Sequence, residues 1–484
     1  MERVLKEMDD VRTAPEPDAV HDLRVALRRC RSLAAVMEEV DPHPAWPQMR
    51  RLGRKLFRQL GELRDTQVLE EWVRKLGSDG DPVGTRAQSE LGKIEADGKQ
   101  AALRAAAKFD QKAWKGYERT LGRRVRVIAP DGPAAQSLAL ERLLAAKELH
   151  LQALRTEKPE PWHALRIGVK RFRYTVESLM PQRYAIWGET LKRVQDLLGE
   201  VHDLDVLAET IARLVPEASE QVQAAWRERI ASERSTRLGE YRELCMGTKR
   251  LWQEWREGLP QGRQQESAAM SRLRATARAL GAAGGKSAQV SRLAMKLYNG
   301  LRKANAGAPF AALETRKVMQ AAARLHGIGA GLRAKPPQKA ARKFLQNLAM
   351  PAGWNEAEWE LLGLAVRYHR GKVPRAKDKA YARLGKDEQK TLCAMAGVLR
   401  LARELRKHGV SSAKDLEVER SVDAVIVRAP GLENTETSAA RIAAGKHLLE
   451  TVLDRPLIVQ PAPILAKVVE LPKAPDPLQA AASD

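Results

Sequence analysis

The sequence of 484 residues predicts a mainly α-helical protein with a small β element near its C-terminal end. Apolar residues recur at helical spacing to about residue 415, and Gly and Pro are sparse inside long segments rich in Ala, Leu, Arg, Glu and Lys. Two short β-branched segments, residues 422–430 and 455–463, predict strands that flank a helix at about 434–452. These observations together indicate a helical chain that closes with a small sheet.

The charge of the chain favours a polyanionic partner. Lys and Arg number 84 against 61 Asp and Glu, which leaves a formal net charge of +23. Nucleic acid, an anionic membrane surface and inorganic polyphosphate are the partners that such an excess favours. The three widely spaced cysteines exclude a disulfide framework and a cysteine-based zinc site, and they fit a reducing cytoplasm. Since no run of about 18 uncharged apolar residues occurs, no membrane span is expected.

An internal repeat is the most informative feature of the sequence. The segment VHDLRVALRRCRSL begins at Val20, and the matching segment WHALRIGVKRFRYT begins at Trp162. A second pair of matching blocks follows in the same order, LGELRDTQVL at 60–69 and LGEVHDLDVL at 198–207, and it aligns Asp65 with Asp203. Two blocks repeated in one order predict a duplicated helical unit.

Both copies of the repeat place basic side chains along one helix face, at i, i+3, i+7 and i+10. These rows are His21, Arg24, Arg28 and Arg31 in the first copy, and His163, Arg166, Lys170 and Arg173 in the second. Like charges on one face repel by a few tenths of a kcal/mol per pair, so an anion is expected to neutralise each row. Arg and Lys side chains match phosphate oxygens, and His can gain a proton beside phosphate.

A second basic stripe precedes each LG block. Arg54 and Lys55 belong to it in the first copy, and Lys192 and Arg193 occupy the aligned positions in the second. We therefore add these four residues to the predicted anion contacts. A solvated basic surface is the ordinary alternative for the two rows of the preceding paragraph, but the duplication of those rows favours a groove or pore lined from both sides. Asp65 and Asp203 are expected to orient arginines or cap a helix turn rather than to bind metal.

The quoted repeat segments resemble the CHAD family, the conserved-histidine α-helical domain, over about residues 10 to 256. This resemblance implies a pair of four-helix bundles around a basic central channel that binds inorganic polyphosphate, often at polyphosphate granules. The two rows would supply the contacts. The first helix is expected to begin almost at Met1, without the CYTH triphosphatase domain that is often fused to such modules.

The C-terminal half resembles the HD-like C-terminal domain of the exopolyphosphatase and guanosine pentaphosphate phosphatase family. The segments AARLHGIG (322–329), LAVRYHRGKVP (364–374) and AGVLRLARELRKHG (396–409) carry this resemblance. An HD metal site needs a His-Asp pair, whereas this chain reads His326-Gly327, so no metal ligand and no catalytic residue is predicted. Arg367, His369 and Arg370 are secondary candidates for anion contact, and a structural role for His369 is an equal alternative.

We accordingly expect a tandem pair of CHAD-like four-helix bundles, then an HD-like all-α domain with the small terminal β element. The predicted boundaries are 1–128 and 133–257 for the bundles, 258–268 for a linker, 269–465 for the HD-like domain and 466–484 for a disordered tail.

The predicted function is non-catalytic binding of inorganic polyphosphate, without a cofactor. We expect the protein in the cytoplasm, associated with polyphosphate granules and with other proteins of those granules. Two alternatives stay open. One is a polyphosphate or nucleotide phosphohydrolase that uses the HD-like domain. The other is a nucleic-acid binder, which the aromatic content of 5% and the absence of stacking residues from the basic stripes disfavour.

Overall fold

The structure, a computed structural model, describes residues 1–13, 16–78, 80–216, 218–247 and 250–462. The predicted tail at 466–484 lies outside the described residues. The chain divides into two compact units. Residues 1–281 with 345–356 form the first, and residues 282–344 with 357–462 form the second within the described part.

The first unit is built from helices. They are α1 (Glu2–Thr13), α2 (Pro17–Met37), α3 (Ala45–Leu52), α4 (Arg54–Leu76), α5 (Pro82–Ala107), α6 (Gln111–Arg124), α7 (Pro133–Ala153), α8 (Pro159–Leu179), α9 (Pro181–Leu214), α10 (Glu220–Met246), α11 (Leu251–Glu257) and α12 (Gly262–Ala279). Residues 262–268 of the predicted linker lie in α12.

Two groups of four long helices follow the two copies of the repeat. In the first, α1 packs on α2, α2 on α4, α4 on α5, and α5 returns to α1. In the second, α8 lies between α7 and α9, and α10 packs along α9. One continuous apolar core runs through both groups, with Leu23 and Leu27 from α2 and Val169 and Phe172 from α8 fully buried in it.

The two helices that carry the basic rows start in the same way. Each has a proline at its N-terminus, Pro17 in α2 and Pro159 in α8, followed by an acidic residue in the first turn. Proline is tolerated there because the first N–H groups of a helix have no intrahelical acceptor, and a carboxylate suits the positive end of the helix dipole. The spacing of the apolar stripes then decides which face turns inward, so that the basic rows flank the core.

The remaining helices are α13 (Gly285–Lys303), α14 (Leu313–Leu325), α15 (Ile328–Gly331), α16 (Pro337–Asn347), α17 (Glu356–Tyr368), α18 (Lys379–Ala382), α19 (Lys386–Lys407) and α20 (Glu436–Leu453). In the second unit α19 is the central element, because it packs against both α13 and α20 and buries Leu399, Leu401 and Leu405 completely.

A three-stranded sheet completes the second unit, with β1 (Glu417–Arg420), β2 (Val425–Pro430) and β3 (Leu457–Ala462) in the order β1-β2-β3. β1 pairs with β2 antiparallel, with Val418 opposite Val427. β2 pairs with β3 parallel, with Val427 opposite Val459, and α20 makes the crossover that a parallel pair requires.

The mainly helical fold with a small terminal β element is thus confirmed. The strand β1 was not predicted, because EVER alternates charged residues with a single Val and lacks the β-branched run of the other two strands. Within the described residues, every helix is too short or too polar to cross a lipid bilayer.

Candidate functional site

The two basic rows lie on α2 and α8, which contact each other inside the first unit. Arg28 Nη1 on α2 donates a hydrogen bond to Tyr174 Oη on α8 at 3.2 Å. One position further along α2, Arg29 Nη2 lies 2.7 Å from Glu177 Oε1 on α8. The two rows therefore meet along one seam instead of facing opposite surfaces.

The helices of the second repeat block, α4 and α9, also contact each other and extend this region. Asp65 Oδ1 on α4 lies 3.8 Å from Arg24 Nη2. One turn earlier, Gly61 makes room for the same side chain, since a Cβ at this position would lie 2.6 Å from Arg24 Nη1. That distance is shorter than real Cβ contacts, so Arg24 holds this conformation only because residue 61 is glycine.

A cavity of about 590 Å³ opens among these four helices. Its lining includes Arg24, Arg28, Arg31, Arg54, Phe57, Arg58, Glu62, Asp65, Arg166, Lys170, Tyr174, His202 and Asp203. The side chains come from both copies of the repeat, so the duplication encloses a single space.

Two neighbouring cavities share walls with the first. One, of about 510 Å³, has Arg28, Arg31 and Lys170 in common with it and adds Arg50, Arg142 and Arg171 to the lining. The other, of about 490 Å³, shares Lys170 and Asp203. Lys170 lines all three cavities. We call the three cavities together the basic passage.

Positive charge is concentrated in the first two cavities, whose walls carry ten Arg or Lys against four Asp or Glu. Four of these cations form ion pairs, namely Arg24 with Asp65, Arg50 with Glu38, Arg58 with Glu62 and Arg142 with Glu39. Among the described residues, the other six have no ion-pair partner: Arg28, Arg31, Arg54, Arg166, Lys170 and Arg171. The third cavity is balanced, with four basic and four acidic side chains. The passage is therefore strongly electropositive over the first two cavities.

Crowding and burial make this positive charge costly. Burial, Arg166 and Arg28 together lower the pKa of Lys170 to about 7. The pKa of Arg166 is lowered as well, first by burial, and its Nε has no hydrogen-bond partner among the described residues. Since like charges and desolvation both disfavour the charged form, an anion that enters the passage would relieve this cost.

Three groups beside these cations have pKa values shifted toward the uncharged form: Asp203, His202 and His163. Burial raises the pKa of Asp203 to about 6, and burial together with Arg166 lowers the pKa of His202 to about 4. His202 Nδ1 lies 3.2 Å from His163 Nδ1, so one neutral ring donates a hydrogen bond to the other. The pKa of His163 is also lowered, first by burial and then by Arg166 and Lys170. Neither histidine adds positive charge at neutral pH in this arrangement.

The structure brings six of the predicted contacts together in the passage: Arg24, Arg28, Arg31, Arg54, Arg166 and Lys170. The other six lie outside the walls of these three cavities, as far as the chain is described: His21, Lys55, His163, Arg173, Lys192 and Arg193. His21, Lys55 and Lys192 are exposed to solvent, and Arg193 pairs with Glu240.

Arg173 differs most from the prediction. Its guanidinium donates to Gln195 Oε1 at 3.0 Å and to Tyr184 Oη at 3.2 Å, and it lies 3.8 Å from Glu177. These contacts tie the side chain to its own bundle, whereas its counterpart Arg31 lines the passage and donates to the carbonyl of Arg50.

Several wall residues were not predicted, among them Arg50, Phe57, Arg142, Arg171 and Tyr174. Arg171 aligns with Arg29 in the repeat, but Arg29 pairs with Glu177 and lines none of the three cavities, so the alignment gave no signal for Arg171. Phe57 places an aromatic ring 4.8 Å from the guanidinium carbon of Arg31, a contact between different helices. Arg142 lies on α7, outside the repeated blocks, and no sequence signal indicated its role.

In the second unit, the predicted HD-like position contains a buried pair of histidines. The rings of His326 and His369 meet edge to face, with an angle of 70° between their planes and centroids 5.4 Å apart. Each Nδ1 donates to a carbonyl of its own helical segment, His326 to Ala323 O at 2.8 Å and His369 to Val366 O at 2.7 Å. Burial lowers the pKa of both, that of His369 to about 3, so both rings are neutral at pH 7.

The position after His326 is closely packed, so an aspartate there would require Ser287 to move. A Cβ on Gly327 would lie 2.5 Å from Ser287 Oγ and 3.1 Å from Ser287 Cβ. The serine on α13 therefore occupies the volume into which an HD carboxylate would project. In the described part of the chain, no group of three or more His, Cys, Asp and Glu side chains is arranged to hold a metal ion.

The secondary anion contacts remain predictions. The guanidinium of Arg367 packs 5.3 Å from the centre of the Tyr368 ring, and its Nη1 is buried without a hydrogen-bond partner among the described residues. Arg370 is half-buried. His369 is only 5% exposed and neutral, so it is the least suited of the three to meet an anion.

Comparison with known families finds a different family for each half of the chain. Residues 1–212 match the CHAD domain, and residues 275–427 match the Ppx/GppA phosphatase, domain III. No curated protein matches the chain. The first match contains both basic rows and both repeated blocks, and it starts and ends earlier than the resemblance over residues 10 to 256. The chain therefore contains a CHAD domain followed by a Ppx/GppA phosphatase domain III.

Proposed function

We propose that this protein binds inorganic polyphosphate in the basic passage without hydrolysing it. One observation carries the proposal: six cations without ion-pair partners, within the described residues, line adjoining cavities between the two copies of the repeat. The presence of a CHAD domain and a Ppx/GppA phosphatase domain III in one chain supports a polyphosphate-related role.

Each part of the passage has a definite task in this proposal. Arg28, Arg31 and Arg166 supply planar donors for phosphate oxygens, and Lys170 supplies a point charge at the common wall of the three cavities. A linear chain of phosphates replaces the counterions that the walls otherwise attract. By analogy with nucleic acids, the release of those counterions makes the affinity fall steeply as the salt concentration rises.

The absence of catalysis is part of the proposal. Hydrolysis in an HD-type site would require a carboxylate next to His326, where this chain has Gly327 packed closely against Ser287. The passage itself holds Asp65 and Asp203 among guanidinium groups. The carboxylate of Asp65 already compensates the charge of Arg24. It is therefore suited to orienting the Arg24 side chain rather than to activating water.

The decisive experiment is titration of long-chain polyphosphate against the full chain at two salt concentrations. The test variant combines Arg24→Gln, Arg28→Gln, Arg166→Gln and Lys170→Gln. The control combines Lys112→Ala, Lys115→Ala, Arg119→Ala and Arg123→Ala, which removes the same charge from exposed positions on α6. We expect the test variant to lose most of its affinity and salt dependence and the control to keep both. Equal affinity in the two variants would rule out the passage as the binding site.

Nucleic acid and hydrolysis are tested with the same preparation. Polyphosphate should resist displacement by duplex DNA or RNA at equal total phosphate, and displacement by either would favour general polyanion binding. Incubation of polyphosphate with Mg²⁺ or Mn²⁺ should release no phosphate. Release that His326→Ala abolishes would establish an enzyme instead. Imaging of the tagged protein with stained granules would test the cytoplasmic location and the association with polyphosphate granules and their proteins.

A further inference from the structure

The second unit contains a cavity of its own, of about 690 Å³, which the polyphosphate proposal does not use. Four parts of the chain surround it: the segment 305–315, the start of α19, the end of β1, and the residues around the end of α20. Its size lies within the range of about 300–1,000 Å³ that small-molecule sites occupy.

Three cations from three different elements converge on this cavity. Lys390 belongs to α19, Arg420 ends β1, and Arg455 follows α20. Arg420 Nη1 donates to Asn305 O at 3.0 Å, which fixes its guanidinium at the wall. As far as the structure describes the chain, none of the three forms an ion pair. Cations that the fold collects in this way and leaves unneutralised favour a ligand with several negative charges.

The rest of the wall has a different character. Asp387 lies one turn before Lys390 on α19 and is the acidic residue of the described lining. Hydroxyl groups come from Thr391 and from Thr315, which is 9% exposed. Apolar contact is available from Pro309, Ala312, Val452 and Leu453. The wall thus combines cations for phosphate, a carboxylate that can accept from ligand hydroxyls, and an apolar surface for a ring.

We infer that this cavity binds a nucleoside phosphate, with the phosphates at Lys390, Arg420 and Arg455 and the ribose hydroxyls at Asp387. Inorganic polyphosphate fits the same wall less well, because it has no hydroxyl donor for Asp387 and no apolar part. A carboxylate facing a chain of phosphates would repel it. The inference goes beyond the proposed function and is independent of it, since it concerns other residues in the other unit.

The test uses ATP, GTP, adenosine and pyrophosphate as separate ligands in calorimetric titration of the full chain. The passage carries the four Gln substitutions described above, so that it does not compete for phosphate. Replacing Lys390, Arg420 and Arg455 by Gln should weaken nucleotide binding by about tenfold or more. The matched control, Lys372→Gln, Lys377→Gln and Lys379→Gln, removes exposed charge outside this wall and should change nothing.

The variant Asp387→Asn distinguishes the binding of a nucleoside phosphate from the binding of a simple phosphate. This substitution should weaken the binding of ATP and GTP by about threefold or more and leave the binding of pyrophosphate as strong or stronger. The reason is that only a ligand with a ribose loses a hydrogen bond to the charged carboxylate. Pyrophosphate that binds as tightly as ATP, with no effect of Asp387→Asn on either, would overturn the inference.

Photo-crosslinking locates the ligand in the unchanged chain. An azido derivative of ATP should label peptides that contain residues 305–315 or 452–455, and excess ATP should prevent this labelling. Labelling confined to the first unit, or no saturable labelling, would also overturn the inference. Neither outcome bears on polyphosphate binding in the passage, so the two proposals can fail separately.

Discussion

The two copies of the repeat align residue by residue, yet aligned residues differ in their contacts and in their exposure to solvent. In the first copy Arg31 lines the passage and the side chain of Asp65 is 74% exposed. In the second, Arg173 is tied to Gln195 and Tyr184, and burial raises the pKa of Asp203 to about 6. The glycines of the LG blocks differ too, since Gly61 faces Arg24 whereas no described atom lies within 4 Å of a Cβ built on Gly199.

This difference shows what duplication determines and what it leaves open. Both copies keep the spacing that puts basic residues on one face, so both contribute to the passage. Solvent access is set by neighbouring elements that are not repeated, and it decides whether a group is permanently charged or titrates near pH 7. Among the predicted contacts that line the passage, the first copy therefore contributes arginines alone, while the second contributes Arg166 and Lys170, and the charge of Lys170 depends on pH.

The largest effect should come from disabling either copy. Arg24→Gln with Arg28→Gln, and separately Arg166→Gln with Lys170→Gln, should each weaken polyphosphate binding about 100-fold, because each pair removes two charge-assisted contacts. Titration at one salt concentration measures both losses. If only one pair mattered, the ligand would lie along a single helix and the two rows would not share it.

The next effect concerns pH and distinguishes the second copy. Lys170 is surrounded by Arg24, Arg28, Arg166 and Asp203, and a bound polyanion should raise its pKa from about 7. Binding then takes up a proton, so affinity should fall by up to about tenfold per unit as the pH rises above 7. Protonation of Asp203 below its pKa of about 6 acts in the same direction, because it removes a negative charge.

Stability of the free protein should move in the opposite sense. The pKa of Lys170 is lower in the folded than in the unfolded chain, so the unfolded state binds more protons between about pH 7 and 10. The Lys170 contribution therefore makes the fold more stable as the pH rises through that window. Polyphosphate binding should no longer take up this proton in the Lys170→Arg variant. Calorimetric titration with polyphosphate in two buffers measures the uptake, and an unchanged value would assign the proton to another group.

A smaller effect separates Arg31 from Arg173. Arg31→Gln should weaken polyphosphate binding by about tenfold with little change in melting temperature. Arg173→Gln should lower the free energy of unfolding by about 1–3 kcal/mol and leave binding nearly unchanged, because it breaks contacts inside one bundle. Chemical denaturation and titration of both variants check this. The reverse pattern would mean that Arg173 leaves its partners to meet the ligand.

The smallest effect is expected at the outer basic stripe. Arg54→Gln with Lys55→Gln, and Lys192→Gln with Arg193→Gln, should each weaken binding by about twofold to threefold, since exposed charges are screened by water and salt. Arg54 lines the passage and the other three do not, so the first pair should lose slightly more. A loss as large as that from the inner rows would place the ligand on the outer surface.

Much of this protein was determined by its sequence alone. Periodic apolar stripes specify helices wherever they occur, and two β-branched segments specified β2 and β3. The repeat identified α2 and α8 as the basic helices, and six of the twelve predicted contacts line the passage. His326-Gly327 was readable as a lost metal pair, because a glycine offers no ligand atom whatever surrounds it.

Only the tertiary structure decided which basic residues face the common space and what surrounds them. Arg31 and Arg173 occupy equivalent helical positions, but unrepeated neighbours, Arg50 beside one and Tyr184 beside the other, direct their side chains differently. Arg142 lines the passage because of the way α7 packs. The lowered pKa of Lys170 arises from groups that the fold brings together from several helices. Helical spacing is a local property that sequence carries, whereas burial and the meeting of distant charges exist only after the chain has folded.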